Sequence, residues 1–435
     1  MTRWLGALCL FWINVGGAFT LEITQGMQSA TPIAVAEFHS AQALPEDMGE
    51  IIRHNLRNSG RFSPIEVGAL PERSPRVGTV DVLPWLHLGA EDIVVGQIER
   101  TGTDQYRIEF ELLDVYEPPN AEPDVPPKNH VLLRQRFDNI PATRLRALSH
   151  HISDLIFERL TGIRGAFATR IAYILVSERN QKPFFRLEVA DADGHNAKTL
   201  FTSPEPVMSP AWSPDGRHLA FVSFEHFRAE VYVVDTVTGR RDRVSHARGI
   251  NGAPAFSPDG SQLALVLSKE GSPKIYLLDL RSHILRRVTS GNAIDTEPNW
   301  APDGQSLLFT SNRGGKPQLY RLWLAGERIE RITYDGDYNA RGSFTPDGKS
   351  VIMVHREGGD RFQIAKLNLN TQQLTLLSNA YLDQSPSISP NGTMILYATQ
   401  LEGKRILSAV SLDGRVKWRL PAGDGNVQEP AWSPY

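Results

Sequence analysis

AWSPDGRHLAFVS (211–223), AFSPDGSQLALVLS (255–268), NWAPDGQSLLFTS (299–311), SFTPDGKSVIMVH (343–355), SISPNGTMILYAT (387–399) and the terminal AWSPY (431–435) are copies of one pattern. Their prolines, Pro214, Pro258, Pro302, Pro346, Pro390 and Pro434, follow one another at intervals of 44 residues. Within Ser213-Pro214-Asp215-Gly216 the proline presets φ at the second turn position, the serine accepts a backbone bond, and the glycine supplies a positive φ. A short apolar strand precedes each turn and an alternating one follows. A third strand comes next, as VYVVD (231–235), IYLLD (275–279) or LYRLW (319–323), and a fourth as RDRVS (241–245), LRRVTS (285–290) or IERITY (329–334). Four short strands per repeat of this length make a propeller blade. The density of turn signals and β-branched residues excludes helical repeats of similar period.

The two ends of the array complete each other. RIAYILVSE (170–178) matches the second strand of later blades with no first strand before it, whereas AWSPY supplies a first strand with no second. Pairing these orphans closes a ring of six blades and removes the free edges an open array would present. The aromatic residues of the first strands, Trp212, Phe256, Trp300, Phe344 and Trp432, read as packing between adjacent blades rather than as a stacking ring for a ligand.

Residues 19–162 lack the repeat. PIAVAEF (32–38) reads as a buried strand, and LPEDMGEIIRHNLRNSG (44–60) as a helix with Met48, Ile51, Ile52 and Leu56 on one face. VDVLPWLHLGAEDIVVGQIE (80–99) gives a short helix and a strand; YRIEFELLDVY (106–116) alternates, and VLLRQRF (131–137) pairs with it. ATRLRALSHHISDLIFERLTG (142–162) is a long amphipathic helix, after which Gly162 and Gly165 make a hinge. The expected fold is thus an α+β N-terminal domain followed by an all-β six-bladed propeller (163–435) closed by the C-terminal strand. EPPNAEPDVPPKNH (117–130) reads as a proline-rich exposed hairpin insertion.

Arg3 and the 15-residue apolar stretch LGALCLFWINVGGAF (5–19) form a positive start and an apolar run shorter than the about 20 residues a membrane span requires. Gly16 and Ala18 at A-x-A spacing place cleavage of a secretory signal after Ala18, leaving residues 1–18 outside the mature chain. Leu8 before Cys9 is not the small residue of a lipoprotein signal, and Cys9 is the only cysteine. Export to a bacterial periplasm, without membrane insertion, fits best. With 46 basic and 49 acidic residues the formal charge is −3, which excludes a strongly basic nucleic-acid binder. In the mature start, Leu21 and Ile23 alternate with Glu22 and Thr24, followed by Gly26. This reads either as a strand able to add to another protein's sheet or as an edge strand of its own domain.

No G-x-S-x-G elbow, H-E-x-x-H pair or P-loop is present, so no active site, metal or cofactor is expected. Asp191-Ala192-Asp193-Gly194 reads as a hairpin turn rather than half a calcium loop, and the adjacent His150 and His151 point in different directions on their helix. A reading of a different class, a propeller enzyme acting on a polysaccharide or peptide in the central channel, requires an acid, base or metal-ligating cluster at one channel mouth. No such cluster is read at matched repeat positions.

Taken together, PIAVAEF (32–38), DIVVGQI (92–98), LTGIRGAFATRIAYI (160–174), NGAPAFSPDGS (251–261), TEPNWAPDG (296–304), SPSISPNGTMILY (385–397) and PAWSPY (430–435) resemble the TolB family, periplasmic propeller proteins of the Tol–Pal envelope system. The resemblance covers essentially the whole mature chain, apart from the proline-rich insertion. It implies a non-enzymatic partner-binding role in outer-membrane integrity and envelope constriction during division. One propeller face would bind the lipoprotein Pal, and the segment after the signal would bind the C-terminal domain of TolA, with other outer-membrane proteins as further candidates. The implied Pal-binding residues lie in loops entering the first strands: Ile250, Asn251, Gly252, Ala253, Asp295, Thr296 and Glu297, with Met208, Arg341, Gln384 and Glu429 at equivalent rim positions. The implied TolA-binding residues are Leu21, Glu22, Ile23, Thr24 and Gly26.

Overall fold

A computed structural model describes residues 21–23, 30–115, 130–420 and 425–435. The signal segment, Thr24, Gly26 and nearly all of the proline-rich insertion lie outside the described residues.

In the N-terminal region one sheet runs in the order Phe62–Pro64, Thr31–Val35, Asp92–Gly102, Gln105–Asp114, His130–Pro141, and His39–Ser40 also pairs with Asp92–Gly102. Thr31–Val35 is parallel to both neighbours. Parallel strands are covered on both faces, which is why Ile33, Ala34 and Val35 form an unbroken apolar run with no exposed surface. On one face pack helix α1 (Met48–Asn58) and a long helix near the domain's end, Leu145–Thr161; on the other lies α2 (Leu83–His87) with its buried Trp85. Asp47 caps α1 by accepting the Glu50 N–H. The long helix, α3 (Leu145–Thr161), stops at Gly162, whose φ of 71° and N–H bond to the Glu158 carbonyl make a left-handed cap.

The rest of the chain is the six-bladed ring. Each blade is a four-stranded antiparallel meander, and the first blade takes its innermost strand from Asn426–Trp432. That strand pairs with Arg170–Arg179, with Val427 opposite Leu175 and Trp432 opposite Ile171, as the orphaned ends require. The turns behave as their chemistry dictates. Gly216 adopts φ 66°, its N–H reaches the Ser213 carbonyl at 2.9 Å, and Ser213 Oγ accepts the His218 N–H at 2.8 Å.

The hydrophobic clusters lie between blades, one at each seam. The seam between blades 3 and 4, for example, joins Val266 and Leu277 to Leu307 and Phe309, and that between blades 6 and 1 joins Leu396 and Trp418 to Ile171 and Tyr173. No blade therefore buries its apolar faces alone. The first-strand tryptophans serve these seams: Trp212 Nε1 donates to the Ala431 carbonyl and Trp300 Nε1 to that of Ala255, each across a blade boundary at 3.0 Å.

Leu21–Ile23 pairs antiparallel with Val416–Arg419 as a fifth strand on the outer edge of blade 6. Within the chain its host is the propeller rather than the N-terminal sheet of its own domain. The proposed hinge is also tighter than expected. A Cβ on Gly165 would lie 2.4 Å from the Asp154 Cα, and Asp154 accepts the Phe167 and Ala168 N–H groups at 2.7 and 3.2 Å. Gly165 is there for close approach, and the connection is pinned to α3.

Candidate protein-interaction site

In an antiparallel meander, the turns joining strands one to two and three to four emerge at one end, and the remaining connections at the other. The N-terminal domain sits on the Ser-Pro-Asp-Gly end, where Asn391 Nδ2 donates to the Arg164 carbonyl at 3.0 Å and the Arg164 guanidinium lies 3.7 Å above the Tyr435 ring. The loops that enter the first strands occupy the opposite, open end.

These loops obey the 44-residue period in their side chains. Asn251, Asp295, Asn339 and Asp383 recur at that interval and all are fully buried. Asn251 accepts from Ser245 Oγ and the Ala247 N–H and donates to the Ala247 carbonyl, closing its own loop. Asp295 accepts from Ser311 Oγ and Arg313 at 2.6 and 2.9 Å and lies 3.7 Å from the buried Lys274 ammonium. Of the residues implicated by resemblance, Asn251 and Asp295 thus hold loops in shape and turn no side chain outward.

Met208, Ala253, Thr296, Glu297, Arg341 and Glu429 do come together, around a cavity of about 320 Å³ at the channel mouth. Gly252 stands beside Ala253, partly exposed, and Gln384 lines an adjacent small recess with Glu429. Ile250 projects at the loop tip, 49% exposed.

The innermost strands share a device that sequence reading missed. Ser209, Ala253, Glu297, Arg341, Ser385 and Glu429, again 44 apart, all have φ between 45° and 54°. At each one the ladder register slips. This is a ring of β-bulges with non-glycine residues in the left-handed region, at about 1 kcal/mol or more apiece. Five are followed by proline and one by Gly342. A bulge frees an N–H from the ladder, and that N–H needs an acceptor. The Glu429 carboxylate takes the Ser209 N–H of the next blade, and Glu297 takes the Arg341 N–H at 3.0 Å.

Two carboxylates and a guanidinium therefore do stand at matched repeat positions in the channel mouth, contrary to the expectation that none would. They face one another: Arg341 lies 3.2 Å from Glu297 and 3.1 Å from Glu429. Burial opposes the Arg341 charge, but the two glutamates outweigh it and hold its pKa above the ordinary arginine value. The Glu297 and Glu429 carboxylates are committed to Arg341 and to backbone amides.

Sequence reading also missed large apolar side chains exposed on the same end. Phe227 is 85% exposed, Tyr334 66% and Tyr381 58%, and Ile294 repeats Ile250 one blade on. Their signal was an apolar residue in a loop, which is weak singly and informative only once topology gathers them at one end.

At the other end a polar clasp joins the domains. Arg146 of α3 pairs with Asp193 of the first blade, and His150 Nε2 lies 3.5 Å from the same carboxylate. The Asp191–His195 turn is the predicted hairpin turn. His150, Asp191 and Asp193 bring possible ligand atoms within 4.8 Å of one another, yet Arg146 already lies against both carboxylates. Burial would raise the Asp193 pKa, but a His195 hydrogen bond and the His150 and Arg146 charges hold it well below the carboxylate range.

Residues 19–120 match the model of the TolB amino-terminal domain and residues 157–435 that of the TolB beta propeller domain. The Tol-Pal system protein TolB of Coxiella burnetii is 59% identical over 96% of this chain and 94% of its own. That of Legionella pneumophila (strain Corby) is 56% identical over 96% and 95%. The crystal structure of TolB from Acinetobacter baumannii superposes with a TM-score of 0.85 at 38% identity, covering 96% of this chain and all of that one.

Proposed function

The chain belongs to the TolB family, and from that premise we propose that it is a non-enzymatic periplasmic component of the Tol–Pal system. It acts as an adaptor, binding the lipoprotein Pal at the open end of the propeller and the TolA C-terminal domain through Leu21, Glu22, Ile23, Thr24 and Gly26. In that role it supports outer-membrane integrity and envelope constriction during division.

The observation that carries this reading is the set of exposed apolar side chains on the loops of the open end, Ile250, Ile294, Phe227, Tyr334 and Tyr381, which the described residues of the N-terminal domain leave uncovered. Exposed aromatic and aliphatic groups beside a polar centre suit a protein partner. The seat of Leu21–Ile23 supports the second contact. Three residues on a blade edge are held by few backbone bonds, and the same strand is able to add to a partner's sheet instead.

The test is capture of the soluble domain of Pal. Ala253→Arg with Thr296→Arg puts two long cations into the cavity and is expected to weaken capture at least tenfold, with the melting temperature little changed. Undiminished capture would show that the partner docks elsewhere. Deleting residues 21–26 is expected to abolish TolA capture and to spare Pal.

A further inference from the structure

The charged residues at the channel mouth look, from position alone, like contacts for a partner. Their geometry says otherwise. Arg341 stands on the first strand of blade 5. Its Nη1 donates to Ser385 Oγ of blade 6 at 2.7 Å, its Nη2 to Glu429 Oε1 of blade 1 at 3.1 Å, and its Nε lies 3.2 Å from Glu297 Oε1 of blade 4. Glu429 carries the chain onward to the Ser209 N–H of blade 2. Glu297 turns its other oxygen back to the Arg341 N–H, with Thr310 Oγ1 donating to it at 2.8 Å.

One continuous set of bonds thus spans five of the six blades through a single guanidinium. Every member but Thr310 is one of the strained bulge residues. A left-handed residue before proline is disfavoured on its own and persists where its surroundings over-determine it. Here the over-determination is visible: the bulge exposes an N–H, a carboxylate from the preceding blade takes it, and Arg341 holds that carboxylate. The planar fork of arginine serves three partners at once, which the point charge of lysine does not.

We propose that Arg341 is a positioning residue, the hub of a brace with Glu297 and Glu429 that fixes the bulge ring and so pre-shapes the open end for its protein partner. The apolar rim, not these charges, makes the contact. The partner arm of the test rests on the Pal-binding reading above; the amide arm does not.

The experiment is amide hydrogen exchange on the full mature chain, wild type against Arg341→Met and the near-isosteric Glu429→Gln. It is paired with affinity for soluble Pal at low and high salt. A brace predicts at least tenfold faster exchange at the Ser209 amide in both variants, although Arg341 does not itself touch Ser209. Exchange in the Ser-Pro-Asp-Gly turns should stay unchanged. Pal affinity should fall about tenfold with the same salt dependence as wild type, and Arg341→Lys should recover only part of the loss. Unchanged exchange at Ser209 in Arg341→Met would overturn the brace. A flattened salt dependence would overturn the positioning role, since it would mean that Arg341 meets a partner charge directly. Failure of the wild type to capture Pal would remove the functional reading and leave the exchange result to decide the brace.

Discussion

Asp92 is the most conspicuous misfit among the side chains of the N-terminal sheet. It is buried, lies directly across the ladder from Asp114 and follows Glu91. Burial, then the charges of Asp114 and Glu91, push its pKa up to about 7. A carboxyl whose folded pKa exceeds its unfolded value takes up a proton on folding. Its contribution to stability is therefore complete below the unfolded value near 4 and is lost as pH rises through 7. Asp92→Asn should melt above the wild type at pH 8, by a few kcal/mol in stability, and the gap should close towards pH 4. A gap independent of pH would show that Asp92 is not the titrating group. The buried Asn251, Asp295, Asn339 and Asp383 illustrate what the sequence does and does not disclose at this scale. Their period is visible in the sequence, but a polar residue at a fixed interval is equally consistent with a contact and with a loop pin. Only the partners separate the two.

Among the elements, the closing strand bears the most on stability, because the apolar clusters lie at seams. Deleting residues 428–435 strips Ala431 and Trp432 from the seams flanking blade 1 and removes the partners of Ile171, Ala172 and Ile174 on the inner edge of Arg170–Arg179. The loss of a large aromatic and its ladder bonds should lower the melting temperature by about 10 °C or more and raise binding of a hydrophobic dye. A variant that melts with the wild type would mean that the ring does not depend on its tail. This strand was legible in the sequence because proline and glycine mark each turn and the interval never changes. The bulge ring was not, although its residues share that interval, because nothing in Ser209, Ala253 or Glu429 announces a left-handed backbone. The Arg341 brace was hidden for a different reason. Arg341 and Glu429 are 88 residues apart and meet only because the sheet closes into a circle. The host of Leu21–Ile23 was likewise illegible: three alternating residues fit any free edge.

At the scale of the whole molecule, the junction between domains combines an anchored connection with a titratable clasp. His150 sits in α3, almost fully buried, with Asn55 Nδ2 donating to its Nδ1 at 3.0 Å and Asp193 facing its Nε2. Around it stand Arg146, Asp191 and His195, with Glu46 behind Arg146. Burial lowers the His150 pKa and outweighs the Asp193 carboxylate, which would raise it; His54 on α1 is lowered in the same way, again chiefly by burial. A histidine with a depressed folded pKa contributes stability that is present above its ordinary value of 6.5 and is lost as pH falls below it. Acidification should therefore loosen the junction before it unfolds either domain. Limited proteolysis of the connection at 163–168 should be slow at pH 7.5 and several-fold faster at pH 5.5, with each domain's circular dichroism preserved. His150→Gln keeps a polar group beside Asn55 and should remove a large share of that pH dependence, with His54 supplying the remainder. If cleavage of the wild type is equally slow at both pH values, the burial of His150 is a packing feature and the clasp is held by Arg146 and Asp193 alone.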